Sequence, residues 1–154
     1  MLDTGFPRAD VENDFSRARR RQFLTAMARP LRRGRGDGNR LVQLDDVVGA
    51  LCWRGQRQLG LREVRLETIV GTAGSRRDFD RRFRPTSARV RSRWEPLALA
   101  IRRGEAIPPI EVYRVGHQHF VADGHHRVSI AAATRQHQID AYVTDVLTRE
   151  PPGA

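Results

Sequence analysis

The amino-acid sequence predicts an α/β chain of the α+β kind, in which a small mixed sheet with helices follows a basic, helical N-terminal extension. Three observations predict this class. Short apolar segments of strand length recur in the second half and are separated by glycine turns. A small-residue segment, residues 127–134, directly follows one of them and suits a helix. In the first half, residues 10–29 contain no Gly or Pro and repeat apolar residues at helical spacing.

The N-terminal extension is expected to contain two helices joined by a loop. Residues 10–29 predict an amphipathic helix whose basic face lies in water, and Pro30 ends it. Residues 31–40 are rich in Gly and Arg, so we expect a mobile connector there. A short helix is predicted within residues 41–53, ending around residues 55–60. The apolar stripe of the first helix consists of Val11, Phe15, Phe23, Leu24 and Met27.

The main domain is predicted to begin with a strand at residues 64–71, where polarity alternates. Pro96 suits the first turn of a helix that ends at Arg103, because the N–H that proline lacks is unpaired there. Further strands are predicted at residues 107–116, 119–122 and 139–146. The sequence therefore divides into a basic extension at residues 1–62, a folded domain at residues 63–147 and a flexible tail at residues 148–154.

The charge of the chain is strongly basic and unevenly distributed. The 154 residues include 28 basic and 18 acidic ones, for a formal net charge of +10, and every basic residue is arginine. Residues 1–93 carry 22 arginines and 11 acids, whereas residues 94–154 carry 6 and 7. The codon usage of a GC-rich genome favours arginine over lysine, but it does not explain the uneven distribution of charge between the two halves. The competing explanation is a surface that pairs with phosphates of a polyanion.

Three basic segments, residues 17–21, 32–40 and 76–84, are expected to form a surface that contacts DNA or RNA. Phe79 and Phe83 interleave the last segment, and such aromatic residues can stack on bases. Two phenylalanines four residues apart can equally be buried residues that attach this segment to the core. We prefer this second interpretation. The candidate nucleic-acid contacts are Arg19, Arg20, Arg21, Arg76, Arg77, Arg81 and Arg82.

The composition also bears on the compartment. The single cysteine, Cys52, allows no intramolecular disulfide. The sequence has no apolar run of 18 residues, and its N-terminus carries acids where a secretory segment would be basic and then apolar. We therefore expect a cytoplasmic protein with no membrane partner.

The motif with the clearest chemistry is DGHHR, residues 123–127, between a predicted strand and a predicted helix. The first turn of such a helix offers unpaired N–H groups and the positive end of the helix dipole to an anion. Gly124 lets phosphate oxygens approach the backbone, and Arg127, His125 and His126 can donate to them. Asp123 would repel phosphate unless Mg²⁺ lay between them. The alternative is an ordinary turn in which Asp123 caps the helix.

The segments IPPIEVYRVG, HFVADGHHRVSIAAAT and IDAYV together resemble the ParB/sulfiredoxin superfamily. The resemblance spans residues 64–146, is most specific at residues 108–132, and is greatest to ParB-like N-terminal, nuclease-like domains of the DGHHR type. It implies that Gly124, His125, His126 and Arg127 hold the phosphates of a nucleoside triphosphate, ATP or CTP, with Mg²⁺.

The chain also departs from relatives within this superfamily. Partition proteins have Gly-Glu-Arg-Arg at residues 124–127, so Gly124 and Arg127 match and the middle pair differs. Sulfiredoxins have Gly-Cys-His-Arg, and because His125 replaces the nucleophilic cysteine, sulfiredoxin activity is not expected. Free-serine kinases share the DGHHR box and also need a glutamate base, for which Glu67 is a candidate.

Three functions are compatible with these features. The first is a nucleotide-dependent binding module whose basic region contacts nucleic acid, a protein partner or a second copy of the chain. The second is a phosphoryl-transfer enzyme, a small-molecule kinase or NTPase, with Asp123 as the metal-linked residue and Glu67 or Glu111 as base. The third and weakest is a non-specific nuclease, because such enzymes need several convergent carboxylates.

Overall fold

A computed structural model describes residues 7–27, 39–74 and 77–149, with side chains in the first range described to residue 19. These residues form a six-stranded mixed sheet and four α-helices, which confirms the predicted α+β class. The helices are α1 (Pro7–Met27), α2 (Leu44–Leu51), α3 (Arg91–Arg102) and α4 (His125–Ala133). The strands are β1 (Val42–Gln43), β2 (Trp53–Arg65), β3 (Ile69–Thr72), β4 (Ile110–Val115), β5 (Gln118–Asp123) and β6 (Gln138–Thr148).

The strand order in the sheet is β1-β3-β5-β4-β6-β2. Strands β1, β3 and β5 run parallel to one another, β4 is antiparallel to β5 and parallel to β6, and β2 is antiparallel to β6. Strand β5 therefore lies near the centre of the sheet, and its last residue leads directly into α4. This order places the DGHHR box at an edge where β3 and β5 end and β4 begins.

The two faces of the sheet are covered differently. Helices α1, α3 and α4 pack on one face around Trp94, which is fully buried, and around the inward residues Val112, Val121 and Val143. Full burial of each such apolar side chain stabilises the fold by roughly 1.5–3 kcal/mol. On the other face α2 covers only one end, and Tyr142 of β6 is half exposed. The main core therefore lies between the sheet and the three helices.

Helix α1 is part of this core. The ring of Phe15 meets that of Trp94 edge-on at 5.4 Å between centroids. Arg102 of α3 pairs with Asp10 at 3.5 Å and with Asp14 at 3.2 Å, and both carboxylates are buried. The predicted helix is confirmed, but its inner face is acidic as well as apolar. The predicted stripe residues Phe23, Leu24 and Met27 lie outside the described side chains.

The boundary expected between residues 62 and 63 falls inside a single strand. Strand β2 pairs with β6 along its whole length, from Trp53 opposite Thr148 to Arg65 opposite Gln138. Residues 55–60, predicted to end a helix, belong to this strand, because cross-strand pairing with β6 outweighs their glycines. The second half of the expected extension is thus built into the sheet of the main domain.

Two other element predictions are wrong in detail. Residues 64–71 form the end of β2 and the start of β3, separated by a 3₁₀ turn at Leu66–Thr68, where the backbone changes partner strand. Pro96 lies inside α3, which begins at Arg91, because burial of Trp94 draws the preceding turn into the helix.

Strands β2, β6 and β4 are joined by a shared carboxylate. Asp145 of β6 accepts hydrogen bonds from Arg114 of β4 at 3.0 Å and from Arg57 of β2 at 3.2 Å. The hydrogen bond from Arg114, followed by that from Arg57, holds the pKa of Asp145 below its usual value despite partial burial.

Residues 28–38 and 150–154, most of the expected connector and tail, lie outside the described residues. Among those described, no helix is long and apolar enough to cross a bilayer.

Candidate functional site

The backbone at the second position of the DGHHR box strongly favours glycine. Gly124 is the N-cap of α4, with φ 107° and ψ 25°, in the left-handed region that side chains disfavour. A Cβ atom at this position would also overlap the side chain of Ile110 at the start of β4. The first intrahelical bond, from Val128 N–H to the Gly124 carbonyl, is 3.0 Å long. The N–H groups of residues 125–127 therefore precede the helical ladder and lack an intrahelical acceptor.

Arg127 braces the box against the start of β4. Its guanidinium donates to the carbonyl oxygens of Pro108 and Pro109, the latter at 2.8 Å, and to Asp123 Oδ2 at 2.9 Å. The side chain is only 14% exposed, whereas that of Asp123 is 68% exposed. Since a guanidinium has five N–H donors, the three described acceptors leave two donors for another group.

The two histidines of the box lie against the loop that precedes α3. His125 is buried, and its Nε2 lies 2.7 Å from Thr72 Oγ1 at the end of β3. The Phe79 ring stacks on His125 at 6.4 Å and meets His126 edge-on at 5.2 Å. The His125 imidazole is thus part of the core.

The candidate carboxylates fall at two places in the sheet. Glu111 of β4 is paired in register with Asp123 of β5, and both are exposed. Glu67 precedes β3 and forms an ion pair with Arg65 at 2.7 Å. Because Ile69 of β3 is in register with His119, four residues before Asp123, Glu67 lies at the opposite end of β5. The structure brings Glu111 to the box and leaves Glu67 away from it.

Residues 77–90, here called the arginine loop, are held rigidly beside the box. Asp80 is fully buried and accepts from the backbone N–H groups of Arg82 and Arg84, both at 2.9 Å, and from Arg84 Nε at 2.8 Å. Phe83 adopts a positive φ of 58°, which is strained for a bulky residue. Phe79 and Phe83 are buried against His125, so they are anchors, as expected.

The candidate nucleic-acid contacts are distributed over α1 and the arginine loop. Arg77, Arg81 and Arg82 are exposed on the loop. Arg19 of α1 donates to the Pro85 carbonyl at 3.0 Å and so ties the helix to the loop. The side chains of Arg20 and Arg21, and all of Arg76, lie outside the described residues.

Sequence reasoning missed Thr72 and Asp80, because nothing in the sequence around them distinguishes them from polar residues at the surface.

Comparison with known proteins finds a distant likeness among solved structures. No family model and no curated protein matches the sequence. Among solved structures, sulfiredoxin from Arabidopsis thaliana is similar, with 22% identity over 54% of this chain and 82% of that chain, and a TM-score of 0.40. Neither a DGHHR-type domain nor an activity follows from a likeness of this size, so the α+β class stands on the strand order itself.

Proposed function

We propose that this chain is a nucleotide-binding module that holds the phosphates of a nucleoside triphosphate, ATP or CTP, at residues 124–127. The observation that carries the proposal is the Gly124 turn, after which the first N–H groups of α4 have no intrahelical acceptor. A helix N-terminus with this geometry favours a phosphate by hydrogen bonding and by its dipole. The resemblance of the DGHHR box to ParB-like domains supports the same assignment.

Magnesium is proposed to bind with the nucleotide, next to Asp123. Mg²⁺ is commonly held by one or two carboxylates together with phosphate oxygens. Asp123 is exposed and Glu111 is its cross-strand neighbour, so two carboxylates are available at the same edge. The described residues contain no group of three or more metal-ligating side chains.

Arg127 would then serve two purposes. Its bonds to the Pro108 and Pro109 carbonyls keep the guanidinium beside the box, and its two remaining donors can reach a phosphate oxygen. With Mg²⁺ present, Asp123 has a second cationic partner, so its ion pair with Arg127 can loosen without leaving the carboxylate unpaired.

The proposed output of nucleotide binding is a displacement of the arginine loop as one unit, with its internal hydrogen bonds to Asp80 kept. Phe79 contacts both histidines of the box, so any shift of the first turn of α4 is transmitted to the loop. The loop carries exposed arginines that suit nucleic acid or an acidic protein partner. A binding module is therefore favoured over an enzyme.

Phosphoryl transfer is the second candidate, and one observation favours it. The register of β4 and β5 places Glu111 beside Asp123, as a base beside a metal-linked carboxylate requires. Glu67 is excluded from this role by its position at the other end of β5.

Calorimetry with ATP, CTP, GTP and ADP, each with Mg²⁺ and with EDTA, tests the binding proposal. We expect Mg²⁺-dependent binding of at least one triphosphate. Arg127→Ala should weaken it by roughly 1.5–3 kcal/mol. Glu67→Gln, which changes an exposed carboxylate at the opposite end of β5 from the box, is the control. Equal affinity of wild type and Arg127→Ala, with folding verified by circular dichroism, would remove Arg127 from the site.

Phosphate release and product formation, with and without serine, DNA or RNA, separate the module from the enzyme. Turnover that Glu111→Gln abolishes while nucleotide affinity is unchanged would establish the kinase or NTPase. Binding without turnover supports the module.

A further inference from the structure

A second cationic site lies outside the box, in a cavity here called the arginine pocket. Its volume is about 240 Å³, and it is enclosed by α1, the arginine loop and α4. The α4 residues that line it, Ser129, Ala132 and Ala133, are all small. The lining consists of Asp14, Arg17, Ala18, Arg82, Arg84, Ser129, Ala132 and Ala133.

Two of the four charged residues of the pocket are already neutralised. Asp14 pairs with Arg102 at 3.2 Å, and Arg84 pairs with the buried Asp80 at 2.8 Å. Within the described part of the chain, neither Arg17 nor Arg82 has a side-chain hydrogen bond or an ion pair. The pocket therefore has two positive charges in excess, one from α1 and one from the loop.

Both arginines are mounted on fixed backbone. The N–H of Arg82 is held by Asp80 Oδ1 at 2.9 Å, and Arg19, two residues after Arg17, donates to the Pro85 carbonyl at 3.0 Å. Ser129 accepts a hydrogen bond from Trp94 Nε1 at 2.9 Å, so its own O–H hydrogen remains a donor in the pocket lining. Donors held in place before the ligand arrives lower the entropic cost of binding it.

We propose that the arginine pocket binds a phosphate group of a nucleic-acid backbone, through Arg17 and Arg82. Its volume is below the roughly 300–1,000 Å³ of pockets for whole organic ligands, so it suits one phosphate rather than a nucleotide. The exposed Arg77 and Arg81 on the same loop favour a polymer over a single anion, because they provide further phosphate contacts. This proposal rests on the pocket alone and holds whether or not the box binds a nucleotide.

Fluorescence anisotropy with the full chain and a short fluorescein-labelled DNA duplex of arbitrary sequence, at low ionic strength, provides the test. Arg17→Gln and Arg82→Gln should each weaken binding about tenfold. Each should also reduce the slope of log K against log salt by about 0.9, one phosphate contact. Arg62→Gln removes an exposed arginine of β2 with no ion pair among the described residues, and is the matched control. It should change the affinity less than twofold.

Each alternative source of the signal has its own outcome. A loss with Arg62→Gln equal to that with Arg82→Gln means that only diffuse charge acts, and overturns the pocket. Loss of ATP affinity with unchanged DNA affinity in Arg82→Gln assigns the pocket to a free phosphorylated ligand and overturns the nucleic-acid assignment. Equally tight binding of polyglutamate, with the same sensitivity to both variants, assigns it to an acidic protein. Arg127→Ala should leave the DNA affinity unchanged. Loss of nucleotide binding at the box can therefore be distinguished from loss of DNA binding at the arginine pocket.

Discussion

Two Asp–Arg pairs in this protein have the same spacing and different surroundings. Asp80 and Arg84 are four residues apart with a contact of 2.8 Å, and Asp123 and Arg127 are four apart with a contact of 2.9 Å. The side chain of Asp80 is 0% exposed, whereas that of Asp123 is 68% exposed. The arginines are similarly covered, at 12% and 14%. The largest difference between the two pairs is the exposure of the carboxylate.

The difference separates a structural pair from one available to a ligand. Asp80 also receives two backbone N–H groups, so its oxygens are occupied and the arginine loop is fixed. Asp123 faces solvent at the edge of the sheet and can exchange its arginine for a cation. The same Asp–Arg spacing therefore stabilises the fold at Asp80 and suits ligand binding at Asp123. The reason is that a buried carboxylate loses much more free energy than an exposed one when its arginine is removed.

The largest expected effect is that of Asp80→Ala. It leaves Arg84, only 12% exposed, without its counter-charge and frees two backbone N–H groups, so we expect a loss of about 3–5 kcal/mol in the free energy of unfolding. Urea denaturation followed by circular dichroism measures it. A loss under about 1 kcal/mol would mean that the two pairs are energetically alike.

Gly124→Ala should be the next largest. The new Cβ overlaps Ile110 and occupies a left-handed residue, so overpacking of about 1–3 kcal/mol adds to a backbone cost of about 1–2 kcal/mol. Gly49→Ala in α2, where nothing lies within 4 Å of the new atom, is the matched control and should be neutral or stabilising. Equal urea midpoints for the two variants would contradict the close packing of Gly124 against Ile110.

Asp123→Ala should affect stability little, by less than about 1 kcal/mol, because the carboxylate is exposed and Arg127 keeps its two carbonyl acceptors. Under the proposed function, the same variant should lose the Mg²⁺ dependence of nucleotide affinity. Comparing urea unfolding with titrations in Mg²⁺ and EDTA tests both. Destabilisation as large as that of Asp80→Ala would abolish the contrast between the pairs.

A further expected effect is a dependence of the free energy of unfolding on pH. Burial, with a contribution from Arg114, lowers the pKa of His119 from 6.5 to about 4. The folded state thus resists protonation, so stability is complete above about pH 6.5 and falls as the pH drops towards 4. His119→Asn should flatten this part of the curve of unfolding free energy against pH, with the exposed His117→Asn as control. An unchanged curve would assign the acid sensitivity to other groups.

Much of the second half could be predicted from the sequence. Strands β4, β5 and β6 lie within a few residues of the predicted ranges, because their alternation and bounding glycines are local signals. Helix α4 begins two residues earlier than predicted, at His125, since Gly124 is the cap. Strand β2 could not be predicted, because most of its side chains are exposed and only pairing with β6 makes it a strand.

The sequence by itself determined the α+β class and the turn at Gly124, because strand alternation and glycine conformation depend on neighbouring residues. Only the tertiary structure decided that Asp80 is buried and Asp123 exposed, that His125 belongs to the core, and that Glu111 rather than Glu67 lies beside the box. Those outcomes depend on which distant segments pack together. Burial and cross-strand register depend on contacts between residues far apart in the chain. The local sequence around a residue does not identify these distant contacts.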